Sequence, residues 1–216
     1  MVKTCDTCVH LSKLPCVEPC YTCLKRGWDM SAYEPIKESL LVIGLSGHAR
    51  VGKDTVAEAI IEKTGMTRYA FADPFKAALK DTFGWTEDHV NGDLKDVDDP
   101  YYGFSPRRAL QLFGTEFGRR LNPDVWIKVA ERKIAALGGR VVIPDVRFEN
   151  EAQFVREHGF LIHITSNREG IPKIAQHVSE NGVSKLPGEL WLINNGTITD
   201  MKNCITRMLE HKGIFS

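Results

Sequence analysis

The sequence predicts a three-layer α/β domain, a parallel sheet with helices on both faces, preceded by a small Cys-rich segment suited to zinc. Three observations predict it. From residue 40 onward, short apolar β-branched runs alternate with helix-period segments, the pattern of parallel strands joined by crossover helices. A G-x4-G-K loop separates the first apolar run from the first helix. Five of the six cysteines fall between Cys5 and Cys23.

The elements follow in order. Leu40 to Ser46 is an apolar run read as a buried strand. Residues 53–64 place Val56, Ala57, Ile60 and Ile61 at helical spacing, and Thr67 to Ala72 reads as a short second strand. Pro74 suits the first turn of a helix over 74–83. Residues 86–100 read as a solvated acidic loop, with Glu87, Asp88, Asp93, Asp96, Asp98 and Asp99 against Lys95. Ser105-Pro106 opens a helix, serine as N-cap and proline at the first position, carrying Arg107, Arg108, Arg119 and Arg120. A helix over 124–137 ends at Gly138-Gly139. Val141 to Asp145 is a buried strand ending in a carboxylate. A helix over 149–158 stops at Gly159, and Phe160 to Thr165 is the next strand. Residues 166–188 are a polar excursion, Leu190 to Ile193 a last strand and 199–211 a last helix.

Length and charge set limits. The 216 residues suit one sizeable domain plus an appendage, divided near Pro35 into 1–35 and 36–216. Lys+Arg and Asp+Glu both number 28, so the formal net charge is zero. Neutrality argues against an overall electrostatic grip on nucleic acid or acidic membrane, and neither partner is expected. The apolar run from Leu40 to Leu45 is far shorter than the ~18–20 residues of a spanning helix. The N-terminus has no apolar export core, so a cytoplasmic location is expected.

Cys5-x2-Cys8 and Cys20-x2-Cys23 suit four thiolates around a structural Zn²⁺. A segment of this length cannot bury an adequate core, so the metal would stabilise it directly. Cys16 could replace Cys20, and His10 is a weaker substitute. Lys3, Lys13, Lys25 and Arg26 form no dense basic patch, which favours a structural knuckle over nucleic-acid binding.

The motif with most chemistry is Gly47-His48-Ala49-Arg50-Val51-Gly52-Lys53-Asp54-Thr55. Its glycines let the backbone wrap closely around phosphates, and successive N–H groups at the helix N-terminus face the anion. Lys53 would neutralise charge on the β and γ phosphates of ATP. Asp54 stands where a Ser or Thr usually binds Mg²⁺; a carboxylate can hold the ion directly or through water, or Thr55 can supply the oxygen. No guanine-binding NKxD motif is present. The small domain, its Arg-rich helix and the late polar excursion fit a small-molecule kinase with a lid.

Gly52-Lys53-Asp54-Thr55, Ala70 to Lys76, Arg107 to Glu116, Pro123 to Trp126 and Pro144 to Arg147 together resemble the bacteriophage deoxynucleoside monophosphate kinases. The ordered motifs run from about Leu40 to the C-terminus; the Cys-rich segment is outside the family core. The resemblance implies an adenylate-kinase-like P-loop fold and transfer of the γ-phosphoryl of ATP to a deoxynucleoside monophosphate. It places ATP and Mg²⁺ on residues 47–55 and the monophosphate near Asp73, Pro74 and Phe75. It gives Arg107, Gly114 and Thr115 to the acceptor site. Trp126 matches a tryptophan near the base or packs in the core. Asp145 matches a carboxylate near Mg²⁺ or its water and Arg147 an arginine on the acceptor phosphate, unless the two form a surface ion pair. The excursion would be the lid, with Arg168 reaching the transferring phosphate and His177 in an H-x-S-E stretch. Asn195, in Asn194-Asn195-Gly196, lies where the family holds adenine, or in a plain turn. The resemblance also implies a homodimer. Two other readings remain: another kinase of the same fold, dephospho-coenzyme A kinase-like or shikimate-type, and a zinc-containing nucleic-acid-binding protein with a regulatory P-loop.

Overall fold

The computed structural model describes residues 40–167 and 183–214. The zinc ligands expected at Cys5, Cys8, Cys20 and Cys23, and the lid residues Arg168 and His177, lie outside the described residues.

Strand β1 (Leu41–Ser46) carries Val42, Ile43 and Leu45 fully out of water. Helix α1 (Lys53–Thr64), β2 (Thr67–Arg68), α2 (Asp73–Phe83) and the short α3 (Glu87–Val90) follow. A 3-10 turn (Asp93–Asp96) leads to α4 (Pro106–Gln111), a π-helical turn (Leu112–Phe117) and α5 (Gly118–Leu121). The rest is α6 (Val125–Ala136), β3 (Arg140–Ile143), α7 (Glu149–His158), β4 (Gly159–Thr165), β5 (Leu190–Ile193) and α8 (Ile198–His211). None of these helices is long and apolar enough to cross a membrane.

The five strands form one sheet in the order β2-β3-β1-β4-β5, with every pairing parallel. Register sets Ile43 beside Val142 on one side and Phe160 on the other. Ile43 and Leu45 pack with Ile60 of α1 and Ile205 and Leu209 of α8 on one face. On the other face Gly44 lies under α7: a Cβ there would come 2.7 Å from a Val155 methyl. Helices thus cover both faces, as alternation required. The chain leaves β1 for β2 and β3 on one side, then crosses to β4 and β5 on the other. Ligands of such sheets bind beyond the carboxyl ends of the strands, where this reversal opens a crevice.

Several local features differ from the sequence reading. The second strand is two residues long, because after Tyr69, whose N–H still reaches the Val142 carbonyl at 3.0 Å, the Ala70 N–H goes to Asp73 and those of Phe71 and Ala72 to Asp145. The acidic stretch 86–100 is folded into α3 and the 3-10 turn. Asp99 accepts the Trp85 indole N–H at 2.8 Å, and Asp96 is engaged by Arg107. The arginine-bearing helix is interrupted by the π-helical turn at Leu112–Phe117. Gly159 is the first residue of β4 as well as the end of α7; a Cβ there would press within 2.0 Å of the Val42 carbonyl oxygen.

Candidate active site

The glycine-rich loop joins β1 to α1 as its spacing requires. Gly47 and Gly52 take φ of 156° and 94°, and Arg50 between them sits at 65°. The loop is packed from behind: a Cβ on Gly47 would meet the Ile164 carbonyl oxygen at 2.3 Å, and one on Gly52 would meet the Asn194 amide at 2.5 Å. Lys53 opens α1 and donates to the carbonyls of Gly47 and His48 at 2.8 and 2.7 Å, so its ammonium lies across the mouth of the loop. Asp54 and Thr55 are exposed beside it, and Asp54 is 3.5 Å from Arg68.

A cleft of about 340 Å³ runs from this loop along the carboxyl ends of β1 and β3 to α2 and α4. Ala49, Arg50, Lys53 and Asp54 line one end; Phe75, Arg107, Gly114, Thr115, Trp126, Asp145 and Arg147 line the rest. Tertiary folding therefore brings eleven of the residues selected from sequence to one cleft. Asp73 and Pro74 build the first turn of α2 instead. Asp73 accepts the Ala70 N–H at 3.0 Å and pairs with Arg68 at 3.5 Å. Asn195 accepts from the Asn167 N–H at 2.8 Å, and its neighbour Asn194 is the residue that reaches the phosphate loop.

Each wall has a local cause. The strand expected to run to Asp145 stops at Ile143, and Asp145, in the turn after β3, accepts the N–H groups of Phe71 and Ala72 at 2.9 and 3.0 Å, one on each carboxylate oxygen. Burial pushes its carboxyl up from the ordinary aspartate range, while Arg147 and these two N–H groups pull it back. Glu151, 3% exposed, accepts from Arg147 N and Phe148 N at 2.8 and 3.1 Å and pairs with Arg119 at 2.5 Å. Burial, reinforced by Asp145, raises it to about 7. Arg119 also lies 3.7 Å over the Phe148 ring. Trp126 donates its indole N–H to the Gly114 carbonyl at 2.6 Å and lies tilted against Phe75, with ring centroids 4.8 Å apart. Gly118 leaves room for it, since a Cβ there would fall 2.5 Å from the indole. The tryptophan both packs and faces the cleft.

The cleft also holds residues the sequence reading missed: Arg68, Lys76, Lys95, Gln111, Arg119 and Glu151. Its lining cations are Arg50, Lys53, Arg68, Lys76, Lys95, Arg107, Arg119 and Arg147, against the carboxylates Asp54, Asp145 and Glu151. Such an excess of cations suits polyanionic ligands. The one signal in sequence for Lys95 was its isolation among six carboxylates. Among the described residues no three His, Cys, Asp or Glu gather around a common point.

Comparison with known proteins agrees with this geometry. The profile of the deoxynucleotide monophosphate kinase family matches residues 41–102 and 87–205. A protein of Acanthamoeba polyphaga mimivirus, provisionally named a deoxynucleotide monophosphate kinase, is 32% identical over 190 residues, covering 80% of this chain and 97% of its own. The deoxynucleoside-5'-monophosphate kinase of Escherichia phage T5 is 26% identical over 212 residues, covering 66% of this chain and 85% of its own. Among solved structures, the shikimate kinase of Aquifex aeolicus overlaps 82% of this chain and 100% of its own at a TM-score of 0.42 and 13% identity. That overlap is too loose to add to the argument. The family profile and the viral relatives establish that the chain belongs to the deoxynucleotide monophosphate kinase family.

Proposed function

We propose that this protein transfers the γ-phosphoryl group of ATP to a deoxynucleoside 5'-monophosphate, giving ADP and the deoxynucleoside diphosphate. The observation that carries the reading is the single cleft shared by the phosphate loop with Lys53 and a second group of cations, Arg107 and Arg147, on other elements. A phosphoryl donor at one end and an anionic acceptor at the other would meet within it.

In this reading the loop 47–52 and the N-terminus of α1 hold the ATP phosphates. An oxygen of the acceptor phosphate attacks the γ-phosphorus, and the bond to the ADP oxygen breaks. No protein nucleophile is needed; the protein aligns the two phosphates and screens their charge. Lys53 follows the transferring group, and Arg107 and Arg147 bind the acceptor phosphate. Asp145 acts by positioning Phe71 and Ala72 on the acceptor side. Phe75 and Trp126 offer an aromatic wall to the base.

Asp54 and Thr55, both exposed at the start of α1, suit Mg²⁺, which takes few protein oxygens and completes its shell with phosphate and water. When bound with ATP it would neutralise charge on the β and γ phosphates. The proposal extends to a structural Zn²⁺ on Cys5, Cys8, Cys20 and Cys23, a lid at 166–188 carrying Arg168, a homodimer, and action in the host-cell cytoplasm during phage DNA synthesis.

The test is ADP release from Mg·ATP with the four deoxynucleoside monophosphates, their ribose forms and dephospho-coenzyme A as acceptors. Turnover with one or more deoxynucleotides is expected, and the ranking would give base preference. ATP binding with no turnover on any nucleotide would overturn the proposal.

A further inference from the structure

Residues 86–100 do more than link α2 to α4. Trp85 packs tilted against Phe83, with ring centroids 4.6 Å apart, and binds Asp99, which also accepts the N–H groups of Tyr101 and Tyr102 at 2.9 and 3.2 Å. Asn91 accepts from Lys76 of α2 at 2.5 Å. Gly92 turns where any Cβ would meet Asp88 at 2.8 Å. Asp96 takes Arg107 of α4 through two of its guanidinium nitrogens. This framework fixes the 3-10 turn and presents Lys95, half-buried, to the cleft.

The surroundings of Lys95 are unusual for a lysine. Lys76 from α2, Arg107 from α4 and Arg147 from the loop after β3 all act on it as like charges. The countercharge from its own turn, Asp96, is already committed to Arg107. Among the described residues the Lys95 ammonium has no hydrogen bond or ion pair. An ammonium placed this way lacks the anion that would balance it.

We propose that Lys95 is a phosphate-binding residue of the acceptor site, gripping the monophosphate of the incoming nucleotide together with Arg107 and Arg147. The proposal rests on the function argued above and adds to it a residue and a proton linkage. Burial first, then Lys76, Arg107 and Arg147, draw its ammonium down to about 8, with Asp96 opposing. A dianionic phosphate favours the charged form, so binding near pH 8 takes up a proton, and affinity falls as pH rises through that value. Arginine at this position stays charged throughout.

The same charge opposes folding. Its folded value lies below the ordinary 10.5, so the unfolded chain binds more protons between about 8 and 10.5. Removing the ammonium should therefore stabilise the protein at pH 7, and the gain should shrink across that interval. A lysine with a structural role would show the reverse.

The experiment compares wild type with Lys95→Met and Lys95→Arg. It uses steady-state kinetics from pH 7 to 9.5, urea unfolding, and calorimetry of each deoxynucleoside monophosphate at pH 8 in two buffers of different ionisation enthalpy. For Lys95→Met, KM for the monophosphate should rise about 10–100-fold, as for loss of a charged hydrogen bond, with KM for ATP within about twofold. Wild-type KM for the monophosphate should climb above pH 8, and that of Lys95→Arg should stay flat. Wild type should take up a proton on binding and the arginine variant none. Unchanged monophosphate KM in Lys95→Met, a matching loss for ATP, or lowered stability at pH 7 would overturn the proposal. Should Lys95→Met fail to fold, a wild-type pH profile retained in Lys95→Arg would overturn it equally. Wild type that binds with proton uptake yet never turns over would sink the functional reading and keep the lysine. Turnover with uptake unchanged in Lys95→Arg would do the opposite.

Discussion

The side-chain amide of Asn194 donates to the carbonyl oxygen of Val51 at 2.9 Å, joining positions 143 residues apart. Asn194 follows β5 and is 7% exposed, and its amide lies over Gly52. The turn after the last strand thus holds the phosphate loop from behind. The loop's shape depends on the completed sheet as well as on its glycines.

Replacing Asn194 by alanine removes that buried donor. Stability should fall by about 1–3 kcal/mol, as when a buried carbonyl loses its partner. KM for ATP should rise several-fold while KM for the monophosphate changes little. Urea unfolding and two-substrate kinetics check both; a rise confined to the monophosphate would show that the latch acts elsewhere.

Lys53→Ala should lower kcat by at least about 10²–10³, the scale found when a preorganised group on developing charge is removed. The fold should persist, because the side chain bonds to the loop carbonyls of Gly47 and His48 and lies outside the hydrophobic core. Circular dichroism with single-turnover kinetics separates loss of chemistry from loss of structure, and near-normal turnover would remove Lys53 from the reaction.

Asp145→Asn places an amide where a carboxylate receives two backbone donors. One of the two hydrogen bonds must be lost, costing about 1–3 kcal/mol, and the Phe71-Ala72 turn should relax into the acceptor end of the cleft. The expected readouts are a lower urea midpoint and a higher KM for the monophosphate. Unchanged stability with a shifted Mg²⁺ dependence would instead put this carboxylate on the metal.

Glu151 carries a pH signature. Its folded value is raised from 4.5 to about 7, chiefly by burial. The proton is held more tightly in the folded state, so the contribution of Glu151 to stability is full below pH 4.5 and is lost as pH rises through about 7. Measured against Glu151→Gln, wild type should therefore lose relative stability across that interval. Glu151→Ala should be worse than Gln at every pH, by about 1–3 kcal/mol, because it also removes the oxygen that accepts the Arg147 and Phe148 N–H groups. Unfolding curves from pH 4 to 8 decide it.

Much of this molecule is legible locally. Residues 53–64 form the helix that their apolar spacing predicts, 149–158 the helix that Gly159 stops, and 190–193 the strand. Ser105 caps α4 by accepting the Arg108 N–H, with Pro106 following it. Thr197 and Asp200 cap α8 reciprocally, one residue ahead of the expected start. These features depend on side-chain period and backbone preference, which neighbouring residues decide among themselves. The phosphate loop is legible for the same reason, since glycine spacing, the strand before it and the helix after it all lie within one short stretch.

Other features were settled only in three dimensions. The second strand ends after Arg68 because the donors that would extend it are taken by Asp73 and, for Phe71 and Ala72, by Asp145, more than seventy residues away. The stretch around Lys95 reads as solvated because its composition is acidic, yet Arg107 takes one of those acids and Trp85 another. What remains facing the cleft is the lysine. The sequence by itself determined the order of strands and helices, the phosphate loop and the family. Tertiary structure decided which carboxylates became scaffold and which cations were left facing substrate, because hydrogen bonds and ion pairs between distant elements consume the charges that local composition can only count.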